Sequence, residues 1–361
     1  MPKSKSRRQN QSLADLPRFL CEAEVVTGLK PYAEDELRHR FGAAAQVRRK
    51  DKPEEIPFGY SGDLRALLDL RRSTAVYLVE HFPIPRPLAL LGHQHFTTLT
   101  RQINTVRSLH PAGAFKTFRI SAAGGQSSVF QRLRDEIATA TALRYQDDEA
   151  DLLLRVRKAD VHADGWEVLA RLSPRPLSAR AWRVCDMEGA LNATIASAMV
   201  EMTQPRPDDR VFNPMCGSGT LLVERLLHSP AEAVGGCDTD LIALRCATAN
   251  LTASGHAKDA DVFEMDAANL QLPDACLDVV MADLPWGQLV GSHEVNRTLY
   301  PLVLAEAARV TVVGGRAVFI THEIRLIEQV LRDLSHVWQV QHSLRVFQGG
   351  LHPRIYLLER V

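Results

Sequence analysis

Asn213-Pro-Met-Cys-Gly-Ser-Gly-Thr220 follows a short apolar run at residues 210–212 and leads into the helix-forming stretch Thr220–His228. A strand that ends in a glycine turn and opens a helix marks a parallel α/β sheet. Gly217 and Gly219 read as positions where a side chain would collide with a bound ligand. The N-terminal amides of the helix beginning at Thr220 can hold an anionic group. After Gly219 come Thr220, Leu221 and Leu222, so the third glycine of the dinucleotide pattern is missing and a nicotinamide cofactor is disfavoured.

Outward from this turn, residues 178–361 alternate helix and strand. Helices are expected at 191–202, 220–228 and 241–253. Strands are expected at 210–212, 233–237, 261–265, 277–282 and 316–321. Residues 337–347 and 354–358 form a last pair, read as an antiparallel edge. Ligands of such a sheet bind beyond the carboxyl ends of its strands. Asp238 ends the second strand, about twenty residues past the turn, where an acid can accept from ribose hydroxyls. Asp240, just before Leu241, suits a helix N-cap. Asp266 ends the third strand, where it can bond the exocyclic amine of an adenine, with Ala267 supplying the next amide.

Asp283-Leu-Pro-Trp286 ends the fourth strand. An exocyclic amine on a nucleobase is a poor nucleophile, because its lone pair is delocalised into the ring. Asp283 can accept one amine hydrogen. The Leu284 carbonyl, turned by Pro285, can accept the other. Catalysis of this kind is mostly positioning and electrostatics. Trp286 offers a face on which a flipped base can stack, and Gly287 leaves room beside it.

The chain has 361 residues, enough for two or three domains. Its net charge is zero, but residues 1–200 carry 30 basic against 23 acidic side chains and residues 201–361 carry 13 against 20. A basic front and acidic back suit a nucleic-acid-binding region joined to a catalytic one. The six cysteines are scattered without a Cys-x-x-Cys pair, and the histidines show no metal spacing, so no metal site is expected. Single cysteines fit a reducing cytosol. No apolar run is long enough to span a bilayer.

The front half is expected to hold a disordered basic tail (1–15) and two α+β units, 16–89 and 90–177, divided at the proline-rich residues 82–87. In the first, 19–26 and 75–82 read as strands, and 29–41 and 66–70 as helices. In the second, 117–122, 152–156 and 166–172 read as strands and 128–143 as a helix. Arg155, Arg157 and Lys158 are candidates for phosphate contact. So are Arg180, Trp182 and Arg183, which can equally serve in packing. His322-Glu323 follows the fifth strand, where a structural role is expected.

These residues together resemble the THUMP-containing class I tRNA (guanine-N2)-methyltransferases. Asn213–Thr220 looks like that family's cofactor loop, with Asn213 in place of the usual acid. Residues 283–286 look like its Asn/Asp-Pro-Pro-Tyr/Phe motif, with Leu284 for the first proline and Trp286 for the aromatic. Gly189-Ala-Leu-Asn192 and Arg180-Ala-Trp-Arg183 resemble segments near the start of the catalytic domain, and residues 24–41 the start of an N-terminal ferredoxin-like domain. The resemblance implies ferredoxin-like (16–89) and THUMP (90–177) domains before a Rossmann-like methyltransferase domain (178–361). It implies S-adenosylmethionine held by Asn213, Pro214, Cys216, Gly217, Ser218, Gly219, Thr220, Asp238, Asp266 and Ala267. It implies catalysis by Asp283, Leu284, Pro285 and Trp286. The expected substrate is tRNA, methylated at guanosine 6 of the acceptor stem or next at guanosine 10, by a cytoplasmic monomer. Adenine-N6 methylation and a non-catalytic RNA-binding partner are the alternatives.

Overall fold

The computed structural model describes residues 17–159, 164–287 and 291–361. The expected basic tail therefore lies outside the described residues. Two compact units emerge, and each is closed around its own sheet.

The first unit takes in residues up to 24, 34–70 and 75–176. Its strands are β1 (Phe19–Glu24), β2 (Ala45–Val47), β3 (Glu55–Tyr60), β4 (Ala75–Phe82), β5 (Thr117–Ala122), β6 (Arg144–Tyr145), β7 (Leu152–Lys158) and β8 (Trp166–Arg171). They form one sheet in the order β2-β3-β1-β4-β8-β7-β5-β6. Strands on both sides of the proline-rich residues 82–87 thus hydrogen-bond in a single sheet, through β4 and β8. Helix α1 (Lys30–Phe41) matches its expectation closely, whereas the helix expected at 66–70 is a 3-10 helix, Leu64–Asp69. Two further helices belong to this unit, α2 (His93–Arg107) and α3 (Ser128–Thr141). On α3, Phe130, Leu133, Ile137 and Thr141 are buried at helical spacing. On α2, the fully buried Gln102 donates to the carbonyls of Leu78 (2.9 Å) and Val168 (2.8 Å), pinning β4 to β8.

The second unit comprises Val25–Ala33, Arg71–Thr74 and residues from 177 to the end. Its elements are α4 (Ala193–Met202), β9 (Arg210–Asn213), α5 (Thr220–His228), β10 (Ala233–Asp238), α6 (Leu241–Ala253), β11 (Asp261–Glu264), β12 (Leu277–Asp283), α7 (His293–Val310), β13 (Thr311–Thr321), α8 (Ile324–Asp333), β14 (Trp338–Arg345) and β15 (Arg354–Arg360). The order is β11-β10-β9-β12-β13-β15-β14, parallel from β11 to β13, with β15 antiparallel to both its neighbours. This is the expected parallel α/β sheet with an antiparallel edge. Strand β13 starts five residues earlier than the expected 316.

Alternate residues of the central strands serve opposite layers, as the pleat requires. Val279 and Met281 of β12 pack with α4 and α5 residues such as Met199 and Leu222. Val280 and Ala282 face the other way, among Tyr300, Leu304 and Ile327 of α7 and α8. Strand order reverses between β9 and β12, and the crevice at their carboxyl ends is where such a sheet takes its ligand. Among the described residues, no helix is long and apolar enough to cross a membrane.

Candidate active site

The turn after β9 is built against β10. Asn213 is buried, and its Oδ1 accepts from the Met215 amide at 3.1 Å, which bends the chain out of the strand. The Cys216 amide donates to the Cys237 carbonyl (2.8 Å), and the Cys237 thiol points at the Pro214 carbonyl (3.3 Å). Both thiols are raised by burial, Cys237 to about 12, so neither is a thiolate nucleophile. Gly236 makes the approach possible, since a Cβ there would stand 3.0 Å from the Asn213 carbonyl oxygen and 3.1 Å from Cys216 Cβ. The side chains of Asn213, Pro214 and Cys216 therefore shape the turn from inside. Ser218 and Thr220 are buried as well.

The two glycines divide the labour. Both have positive φ, +52° at Gly217 and +79° at Gly219. A Cβ on Gly219 would meet Ala247 of α6 at 3.1 Å, whereas one on Gly217 would meet nothing within 4 Å. Gly219 thus makes room for a helix. Gly217 faces open space, and its amide donates to Asp238 Oδ2 at 2.9 Å. Asp238 Oδ1 accepts from the Asp240 amide (3.0 Å), so the carboxylate is fixed at the strand end. Asp240 caps α6 through the Ile242 amide (2.8 Å), as expected. Asp266 is exposed and accepts from the Ala268 amide (2.9 Å) in a tight turn, with Ala267 buried beside it.

A second layer of contacts supports the turn. Asn250 of α6, fully buried, donates to the carbonyls of Ser218 and Cys185 (both 2.9 Å) and accepts from the amides of Val184 and Cys185 (both 3.0 Å). Cys185 is also disulfide-bonded to Cys246, with Cα atoms 5.3 Å apart. That pair corrects the reading of six single cysteines, and a sequence separation of 61 hid it. Arg183 donates to Thr220 Oγ1 (3.0 Å) and to the Leu191 carbonyl (2.8 Å). Trp182 is buried. Arg180 reaches buried Glu224 (2.9 Å) and the carbonyls of Leu177 and Arg71. All three therefore pack within this unit, with Arg180 and Arg183 partly exposed. Asn192, in the Gly189–Asn192 stretch, caps α4 through the Thr194 amide (2.8 Å).

Asp283 is the last residue of β12, next to the crevice. Burial pushes its carboxyl up to about 7, against the downward pull of a hydrogen bond from Trp286 Nε1 (2.9 Å). The Leu284 amide extends the β12–β13 ladder to the Ile320 carbonyl (3.0 Å), a bond that a proline there would forfeit. The Pro285 carbonyl accepts from Tyr300 Oη (2.6 Å) and Asn296 Nδ2 (2.8 Å). Trp286 lies near His322, with ring centroids 6.3 Å apart and planes tilted by 33°. Gly287, at φ +72°, makes room for Glu323 and Asn296, since a Cβ there would stand 2.7 Å from Glu323 Oε1. Glu323 is paired with His293 Nδ1 (2.9 Å) and starts α8, a structural role as expected. Asn296, Tyr300 and Thr321 carried no sequence signal, because only the fold brings α7 and the end of β13 to this turn.

In the first unit, Arg155 pairs with Glu24 (2.8 Å) and lies over the Tyr77 ring. Arg157 bonds Glu22 (2.7 Å), Glu167 (3.0 Å) and Glu55 (3.3 Å). Arg157 is thus held by three carboxylates, whereas Arg155 is held through Nη1 alone. Lys158 alone of the three is exposed. Among the described residues, no group of three or more His, Cys, Asp or Glu is arranged to hold a metal.

Comparison with known proteins agrees with this geometry. Residues 180–354 match the family described as RMKL-like, methyltransferase domain. The mouse tRNA (guanine(6)-N(2))-methyltransferase THUMP3 is 34% identical over 182 residues, 47% of this chain and 36% of that protein. The tRNA (guanine(6)-N2)-methyltransferase of Thermus thermophilus is 30% identical over 209 residues, 58% of this chain and 61% of that one. The chain thus spans less than two thirds of the length of either curated relative. The solved structure of TrmN from Thermus thermophilus superposes with a TM-score of 0.74 at 22% identity, over 95% of this chain and all of that one, so the fold is shared nearly end to end. With the sheet order, the glycine turn and the Asp283 motif in place, residues 180–354 are similar to the methyltransferase domain of the RMKL-like family.

Proposed function

We propose that this chain is an S-adenosylmethionine-dependent enzyme that methylates the exocyclic N2 of a guanosine in tRNA, at position 6 of the acceptor stem. The observation that carries the reading is the half-buried Asp283 carboxyl, raised to about 7 by desolvation, at the carboxyl end of β12 beside a turn anchored on both sides. The substrate is drawn from the two curated relatives, both named for guanine(6)-N2.

The crevice residues suit the cofactor. Gly217 presents backbone to open space, and Asp238 is locked beside it with lone pairs left for ribose hydroxyls. Asp266 and Ala267 lie at the next strand end, where an adenine would be held. S-adenosylmethionine, when bound, supplies an activated methyl group. The chain's own task is to orient the acceptor. Ionised Asp283 accepts one N2 hydrogen, and the Leu284 carbonyl accepts the second. The amine is thereby held with its lone pair free to attack. Trp286 supplies an aromatic face for the flipped base.

We further propose that residues 16–89 and 90–177 are ferredoxin-like and THUMP-like parts that grip tRNA, and that the enzyme works as a cytoplasmic monomer without metal. The test is transfer of labelled methyl from S-adenosylmethionine to unmodified tRNA, followed by nucleoside digestion and mass spectrometry. N2-methylguanosine mapped to position 6 is the expected product. The same nucleoside at position 10 would correct the position alone. Methyladenosine would overturn the substrate, and tRNA binding without transfer would favour the non-catalytic reading.

A further inference from the structure

Tyr300 and Asn296 sit one turn apart on α7 and are both fully buried. Burying two polar side chains is costly unless they are well bonded. Both spend a donor on one atom, the Pro285 carbonyl oxygen, at 2.6 and 2.8 Å. Two donors fill both lone pairs of a carbonyl. Behind Tyr300, the Thr321 hydroxyl lies 2.6 Å away and itself accepts from the Glu323 amide (2.9 Å). The phenol is thus the middle of a hydrogen-bonded chain, in which each bond polarises the next. Burial raises its pKa, so the hydroxyl keeps its proton at working pH.

The consequence falls on Leu284. Its amide is fixed by the Ile320 carbonyl at 3.0 Å, and the next carbonyl along the chain is fixed by the Tyr300–Asn296 clamp. The Leu284 carbonyl lies between these two restraints, and the Pro285 ring removes one of the few remaining rotations. We infer that Tyr300 and Asn296 are positioning residues for methyl transfer, clamping the Pro285 carbonyl so that the Leu284 carbonyl and Asp283 face the acceptor amine together. The inference rests on reading residues 283–286 as the amine-orienting motif. Leu284 stands where the resembling family has proline, and the clamp supplies from outside the stiffness that a second proline would give.

Tyr300→Phe keeps the ring and deletes the donor. The expected result is a kcat about tenfold lower, the worth of one well-placed hydrogen bond, with KM for tRNA and for S-adenosylmethionine within about twofold of the parent. Hydrogen exchange in the peptide spanning 283–287 should quicken. Trp338→Phe is the control. Trp338 Nε1 also tethers α7, through the Leu304 carbonyl (2.9 Å), but away from the turn. That variant should melt earlier and keep its kcat. Should Tyr300→Phe misfold, Asn296→Ser removes the other donor and is read the same way. A parental kcat in the Tyr300 variant, or an equal loss of kcat in Trp338→Phe, would overturn the inference. If the parent itself methylates no RNA, the proposed function fails, and exchange alone decides: unchanged exchange at 283–287 in Tyr300→Phe sinks the clamp, and faster exchange sustains it.

Discussion

Asp283 accepts an amine hydrogen most strongly when ionised, and desolvation sets the pH at which that happens. With its carboxyl pushed up to about 7, kcat/KM should rise with pH through that value and level off above it. Asp283→Asn should lower transfer by about two orders of magnitude at pH 8 while leaving tRNA affinity intact. Equal losses of binding and rate would remove Asp283 from the chemistry. The same burial predicts the sign of the stability effect. A carboxyl whose folded pKa lies above its unfolded one contributes stability below the unfolded value, and loses it as pH rises to about 7. Asp283→Asn should therefore melt higher than the parent at pH 8, and thermal scans should show the gap closing toward pH 4. Trp286 bears on the same titration, because its indole N–H stabilises the ionised form. Trp286→Phe keeps an aromatic face and drops that donor, so the acid limb of the rate profile should move to higher pH. An unmoved limb would leave Trp286 a stacking residue only.

The turn between β9 and α5 concentrates two different demands in three residues. Gly219 must pass Ala247, whereas Gly217 must leave space empty. Alanine at either position meets the left-handed backbone penalty of about 1 kcal/mol. At Gly219 it also meets α6, so Gly219→Ala should lower the melting temperature clearly further than Gly217→Ala. Gly217→Ala should instead weaken S-adenosylmethionine binding, measured by calorimetry on the whole protein. The reverse ranking would reject this division. The sequence showed the glycines but not what each one avoids, because Ala247 comes close only once α6 has packed. Legibility followed the same line elsewhere. Strands β9, β10 and β12 and helices α5 and α6 are apolar segments with clear stops, and were readable within a residue or two. Strands β2 and β3 were missed, one being three residues long and the other containing Pro57. Helix α7 was missed because Asn296 and Pro301 interrupt its apolar pattern. Local motifs thus exposed Asp238 and Asp283, whereas Tyr300 and Thr321 reach the site only because β13 lies beside β12.

Across the whole molecule, excess positive charge in the first 200 residues pointed to RNA, but total charge does not say which cations are available to it. Glu22, buried at 3% exposure, draws Arg157 and Lys50 into one network with Glu55 and Glu167. Adjacent residues of β7 therefore have opposite fates, Arg157 held inward and Lys158 exposed. Sequence alone could not separate them, because the carboxylates that claim Arg157 come from β1, β3 and β8. Removing one partner of a buried charge costs more than the pair contributes, since the other charge is stranded. Arg157→Ala should thus destabilise the protein by about 2–3 kcal/mol, with Lys50 limiting the damage to Glu22, and should leave the salt dependence of tRNA binding as it was. Lys158→Ala should do the opposite. Its melting curve should overlay the parent's, and binding titrations at several salt concentrations should show the slope of log K against log salt falling by about 1 if Lys158 contacts a phosphate. A parental slope for Lys158→Ala would move the RNA contact off β7 altogether. A reduced slope for Arg157→Ala at unchanged stability would mean that RNA outcompetes the carboxylates, and that the network opens to bind.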